Sequence, residues 1–229
     1  MILIATPARL STPRMLLSRI EGLVHSLEWT GTMEWRLHFN EQPACEKQYE
    51  PNARARNEVI DRYLKPWHEW VLWVDADIVE MPTDLLKTLM ETSQRWATEE
   101  FPAIVAPMVW MERVGSGPVG FENGGWFYDT GGFVGDDGAH ASFHVGPLDE
   151  GDEVVMQSVG CVYLAPAELY RRGLRYVVKG DEVEHIGFCR RARNMGAKVI
   201  ATRRAEVVHA YLPKYGEAWH HRQAKKVVV

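Results

Sequence analysis

The nine residues Trp70-Val71-Leu72-Trp73-Val74-Asp75-Ala76-Asp77-Ile78 pass from five consecutive apolar side chains straight into two carboxylates separated by one alanine. A short unbroken apolar run reads as a strand buried on both faces. Side chains on a strand alternate between faces, so Asp75 and Asp77 are expected to share one face with Ala76 turned away, where both can meet one hard cation. At the carboxyl end of a parallel strand such a pair lies where open α/β sheets bind ligands. Mg²⁺ or Mn²⁺ held by one or two carboxylates there completes its shell with substrate phosphates. The competing reading is a solvated strand end that caps a helix beginning near Pro82-Thr83. The tripeptide alone is common, and the apolar approach is what favours the cation site.

Outward from this run the pattern alternates. Residues 1–6 read as a buried strand ended by Pro7, and Ser11-Thr12-Pro13 supplies an N-cap with proline near the first turn of a helix reaching about Leu27. Its apolar positions Met15, Leu16, Ile20, Leu23, Val24 and Leu27 recur at three and four residues. Residues 34–40 alternate Trp35, Leu37 and Phe39 against Glu34, Arg36 and His38, the period of a half-exposed strand. A helix over 52–64 stopped by Pro66, the Asp75 strand, a helix over 83–96 and a strand over 102–110 follow. This alternation predicts an α/β fold with a mainly parallel sheet covered by helices.

Over residues 112–153 glycines cluster and aromatics interleave with acids without sustained periodicity. Long segments of this kind are often lids or binding loops, so this one is assigned to acceptor binding. Regular structure is expected to resume with a strand over 157–164, a short helix over 166–172, a helix over 184–195 closed by Gly196, and a strand over 198–202 ahead of Val207-Val208-His209.

The 229 residues are 46% hydrophobic, enough for a sizeable core, and are read as one domain, 1–229. No apolar run approaches the roughly 20 residues of a membrane helix, and the first residues lack the pattern of a signal peptide, so a cytoplasmic location is expected. Cys45, Cys161 and Cys189 are scattered and odd in number, which argues against a disulfide framework or a zinc site. A net charge of −5 disfavours a generally basic nucleic-acid-binding surface, although residues 220–226 are locally basic.

Four segments line up as a set: Thr6-Pro7 at the end of the first strand, Ala55-Arg56-Asn57, Asp75-Ala76-Asp77, and Glu184-His185 through Arg191-Ala192-Arg193 to Gly196 with His209 beyond. On these residues the chain resembles the GT-A glycosyltransferases, whose D-x-D motif binds a divalent metal and the diphosphate of a nucleotide sugar. Within that fold, residues 70–89, Val159-Gly160 and Glu184-His185-Ile186-Gly187-Phe188 look most like the Anp1/Mnn9 mannosyltransferases of the yeast Golgi, and less closely like the family-2 transferases. The Golgi proteins carry an N-terminal membrane anchor not seen here, so compartment and acceptor are not carried over. Family-2 enzymes have Glu-Asp where this chain has Glu184-His185, which puts the usual aspartate base in doubt.

The resemblance implies a nucleotide-sugar-binding half over 1–110, an acceptor-binding and catalytic half over 111–229, and a role for each matched residue. Asp77, with Asp75 beside it, is the expected ligand of Mn²⁺ or Mg²⁺, and His209 resembles the late histidine that completes the metal shell in many such enzymes. Arg56, next to Asn57, is expected to pair with the donor diphosphate or with Asp75. Thr6, Pro7 and Arg9 are expected to approach base and ribose, with Ala76 between the two carboxylates. If the reaction inverts, Glu184 is the first candidate general base, with Asp181 and Glu182 as substitutes and His185 alongside. If it retains configuration, Glu184 would instead position the acceptor or stabilise positive charge at the sugar; a plain helix N-terminal carboxylate is the third reading. Trp126 and Tyr128 are expected to stack on the acceptor, and Gly160 to border the substrate.

The expected function is therefore metal-dependent transfer of a hexose from a nucleotide sugar, GDP-mannose or a UDP-hexose, to an acceptor hydroxyl. The rivals are a catalytically silent scaffold or carbohydrate-binding subunit, a phage-type enzyme acting on modified DNA bases, and a nucleotidyltransferase. The last lacks any visible Lys/Gly-rich phosphate loop.

Overall fold

The computed structural model describes residues 1–40, 49–111, 126–127, 134–135, 152–179 and 183–210. The described elements are β1 (Ile2–Arg9), α1 (Arg14–His25), β2 (Met33–Asn40), α2 (Glu50–Tyr63), β3 (Trp70–Val74), β4 (Ile78–Glu80), α3 (Leu85–Arg95), β5 (Ile104–Met111), β6 (Trp126–Phe127), β7 (Val134–Gly135), β8 (Glu153–Ser158), β9 (Val162–Pro166), α4 (Ala167–Arg171), α5 (Glu184–Asn194) and β10 (Val199–His209).

One sheet runs in the order β2-β1-β3-β9-β5-β10-β8-β7, with β4 paired to β10 and β6 to β5. Strands β2, β1, β3, β5 and β10 point one way, while β9 and β8 oppose them. The fold is thus α/β with a mainly parallel central sheet, as the alternating pattern predicts. All five residues of β3 and of β9 are buried, because these strands lie mid-sheet and are covered on both faces. Helix α3 packs on β5 and β10, and α2 packs on β1 and β2 while touching α5.

Four expectations are corrected. Pro7 does not end the first strand: it pairs with His38, and because the β1–β3 ladder stops at Ala5, its missing N–H removes no bond on that side. The first helix has no side-chain cap; Pro13 occupies the cap position, and Thr12 Oγ1 instead accepts the Arg9 N–H at 3.0 Å. The strand expected over 157–164 is two strands, since Cys161 adopts a left-handed φ of 56° that turns the chain between β8 and β9. The last strand is one element with a register shift against β5 rather than two pieces. Gly196 closes α5 as expected, at φ 98°, with Gly196 N–H bonded to Arg193 O and Ala197 N–H to Ala192 O, the two bonds of a Schellman cap. Cys161 and Cys189 are buried; Cys45 lies outside the described residues. No described helix is long and apolar enough to cross a membrane.

Candidate donor and metal site

The site forms where β3 and β10 end at the carboxyl edge of the parallel strands. Strand β3 stops at Val74, and the Ile78 N–H closes a turn onto Asp75 O at 3.2 Å. Asp75 and Asp77 are therefore brought together by a turn, not by the pleat of a strand as the alternation suggested. The Asp75 N–H is held by Cys161 O at 3.2 Å, so the left-handed turn after Gly160 fixes the D-x-D backbone. Ala76 is buried beneath it, while the Asp75 and Asp77 side chains keep 24% and 22% exposure.

Each carboxylate has its own nitrogen partner. His209 sits opposite Ile78 in the β10–β4 pair, the Ala210 N–H binds Asp77 O at 2.7 Å, and His209 Nε2 lies 3.0 Å from Asp77 Oδ1. The other ring nitrogen, Nδ1, donates to Ala210 O at 2.8 Å. Burial works to lower the His209 pKa, but the Asp77 carboxylate and the Ala210 carbonyl outweigh it and leave the value raised. A histidine whose Nδ1–H is spent on a backbone carbonyl presents Nε2 as a ligand, the usual outer-shell arrangement of metal-binding imidazoles. Among the described residues no set of three His, Cys, Asp or Glu side chains forms a complete metal cage. The Asp77–His209 pair with Asp75 nearby fits instead the sparse protein contribution to a cation that takes the rest of its shell from phosphates.

Asp75 pairs with Arg56, whose Nη2 is 2.7 Å from Asp75 Oδ1. Of the two partners expected for Arg56, the structure shows the carboxylate. Burial raises the Asp75 pKa, Arg56 opposes this, and Asp77 adds to it. Arg56 is 2% exposed, with its guanidinium 5.0 Å from the Trp73 ring centre and 5.8 Å from that of Tyr176. Its Nε is 3.8 Å from Glu184 Oε1, and His185 Nε2 is 3.5 Å from the same oxygen. Burial, then the neighbouring Arg56 charge, push the His185 pKa well down, so the ring is neutral. Below the guanidinium, Tyr163, Tyr170 and Tyr176 share hydroxyl contacts, with Trp73 Nε1 donating to Tyr170 Oη at 2.8 Å.

The other sequence candidates are dispersed. The Thr6 hydroxyl is fully buried and accepts Trp35 Nε1–H at 3.0 Å, tying β1 to β2. Pro7 is half-buried in β1, and Arg9 is exposed at its end. The Asn57 amide is bonded to the Tyr176 backbone. Trp126 pairs with Met111 through the backbone, but its side chain, like Tyr128, Asp181, Glu182 and most of 112–153, lies outside what is described. The sequence reading missed the tyrosine cluster and the Cys161 carbonyl. No spacing marks them, because they come from β9, α4 and irregular segments remote from the motif.

The family model described as Anp1 matches residues 36–131. The "Vanadate resistance protein" of Candida albicans is 50% identical over 38 residues, 17% of this chain and 9% of that protein. The "Mannan polymerase II complex ANP1 subunit" of Saccharomyces cerevisiae is 36% identical over 58 residues, 25% of this chain and 10% of that protein. The Schizosaccharomyces pombe "Mannan polymerase complex subunit mnn9" is 45% identical over 42 residues, 18% and 12% of the two chains. The matched segments thus span about a tenth of these relatives' length. Among solved structures, S. aureus TarS 1–349 superposes with TM-score 0.55 at 11% identity, covering 91% of this chain and 60% of that one. GalNAc-T7 with UDP, GalNAc and Mn²⁺ superposes with TM-score 0.54 at 10% identity, covering 92% and 43%. The chain has the fold of the GT-A glycosyltransferases, and its stretch from 36 to 131, which holds Arg56 and both carboxylates of the D-x-D turn, is similar to the Anp1 family.

Proposed function

We propose that this chain is a glycosyltransferase that uses a divalent cation to move a hexose from a nucleotide diphosphate sugar to an acceptor hydroxyl. The observation that carries the reading is the Asp77–His209 pair at 3.0 Å, with His209 oriented through its second nitrogen. A cation held there supplies Lewis-acid stabilisation of the charge that develops on the leaving diphosphate. Around it the chain's own groups would orient the donor: Asp77 and His209 would hold the cation, with Asp75, fixed by Arg56, beside them. The mannan polymerase relatives favour GDP-mannose, and the neighbour solved with UDP and Mn²⁺ keeps UDP-hexoses in view. Residues 1–110 are assigned to nucleotide-sugar binding and 111–229 to acceptor binding and catalysis, with 112–153 as the acceptor loop.

The test is release of nucleoside diphosphate from GDP-mannose and UDP-glucose by the purified chain with Mn²⁺. Wild type should turn over one donor, and Asp77→Ala should lose about a hundredfold or more, exceeding the loss typical of outer-shell partners. The description of two relatives as subunits of complexes favours a second reading, a non-catalytic subunit that keeps the fold. A wild-type chain that binds nucleotide yet releases none, with or without carbohydrate acceptors, would establish it.

A further inference from the structure

We propose that Arg56 is a positioning residue, a buried cation that sets Asp75 against the donor and takes Glu184 as its counter-charge, and that Asn57 and Tyr176 hold the guanidinium in that register. The inference rests on the donor-site reading above. At 2% exposure, Arg56 is not placed to grip a diphosphate in solvent, and its Nη2 is committed to Asp75 at 2.7 Å. A buried guanidinium is tolerated only when compensated, and here Asp75 and Glu184 supply two carboxylates while Trp73 and Tyr176 supply ring faces.

Asn57 explains why the arrangement does not drift. Its Nδ2–H donates to Tyr176 O at 2.8 Å, and its Oδ1 accepts Tyr176 N–H at 2.9 Å, a reciprocal pair that clamps an irregular segment onto α2. The clamped Tyr176 ring stacks on Phe188 of α5, centres 4.4 Å apart and planes 9° apart, and its hydroxyl meets that of Tyr163 in β9. One side chain thereby fixes α2, the 176 segment and α5 at the level of Arg56. Glu184 belongs to the same layer: it is 2% exposed, and its Oε1 faces Arg56 and His185. A general base must come within hydrogen-bond reach of the acceptor hydroxyl, and a carboxylate enclosed between a cation and an imidazole is instead placed to balance the cation.

The experiment is calorimetric titration of Mn²⁺ in the presence of GDP, with UDP alongside, on wild type, Asn57→Ala, Arg56→Lys and the double variant. Asn57→Ala and Arg56→Lys are each expected to weaken Mn²⁺ binding about tenfold or more, the usual range for outer-shell partners. The double variant should bind like Arg56→Lys alone, because Asn57 acts through the guanidinium. Asn57→Asp, which keeps the acceptor for Tyr176 N–H, should lose less and serves if the alanine variant does not fold. Glu184→Gln should raise donor KM in the hydrolysis assay while leaving the pH limbs of kcat in place. Wild-type affinity in Asn57→Ala, additive losses in the double variant, or a Glu184→Gln that loses a pH limb of kcat at unchanged KM would each overturn the inference. A wild type that binds no Mn²⁺ with either nucleotide overturns the donor-site reading and this inference with it.

Discussion

His209 shows how much a single residue depends on its second bond. Without the Nδ1–H to Ala210 O, at 2.8 Å, the ring could turn; with it, Nε2 is directed at Asp77. Gly196 is a residue of the other kind, needed for its backbone alone. Its φ of 98° is one that side chains disfavour, yet a Cβ there would meet only Glu100 at 3.6 Å, so the cost of substitution is conformational and not steric. Gly196→Ala is expected to lower stability by about 1–2 kcal/mol in chemical denaturation while leaving nucleotide binding unchanged. A neutral effect would show that the cap carries no strain. At this scale the sequence is readable where one residue type serves one conformation: a glycine after a helical pattern announces the left-handed cap that needs it.

Elements are harder to read, and the break between β8 and β9 shows why. The apolar texture of 157–164 is continuous, and only the left-handed Cys161 separates a strand beside β10 from one between β3 and β5. Periodicity cannot see a turn made by a residue type that seldom makes one. The start of β8 is also where a helix is tied down. Glu153 accepts from Arg95 at 3.1 and 2.7 Å, from Trp96 Nε1 at 2.6 Å and from Thr92 Oγ1 at 3.2 Å, joining the end of α3 to the strand. Burial works to raise the Glu153 pKa, but the Arg95 and Trp96 bonds bring it below its ordinary value. A depressed carboxylate stabilises the fold fully above its unfolded-state pKa, and that contribution is lost as pH falls through the folded-state value. Glu153→Gln should therefore cost about 1–3 kcal/mol at neutral pH and flatten the acid limb of a Tm-against-pH curve. An unchanged acid limb would assign the limb to other groups.

Across the whole molecule, the mainly parallel sheet was legible from strand–helix alternation, and the carboxyl-edge location of the site follows from it. Strands β3 and β10 run in one direction, so the Asp75 turn and His209 emerge at one edge although 134 positions separate the two residues along the chain (209 − 75). What was not legible is the interior that supports that edge. Arg56 and Asn57 were visible as motif residues, but their partners Tyr176, Trp73 and Glu184 meet them only through packing of α2 against α5 and of β3 against β9. The same physics makes the central claim testable without knowing the acceptor, because a ligand that binds only the folded chain raises its apparent stability by mass action. The decisive measurement is a thermal-shift panel of GDP, UDP, CDP, ADP and dTDP, each with and without Mn²⁺, on wild type and Asp77→Ala. The account predicts a shift for one diphosphate that requires Mn²⁺ and disappears in the variant; a shift that is indifferent to Mn²⁺, or that survives in Asp77→Ala, would contradict it.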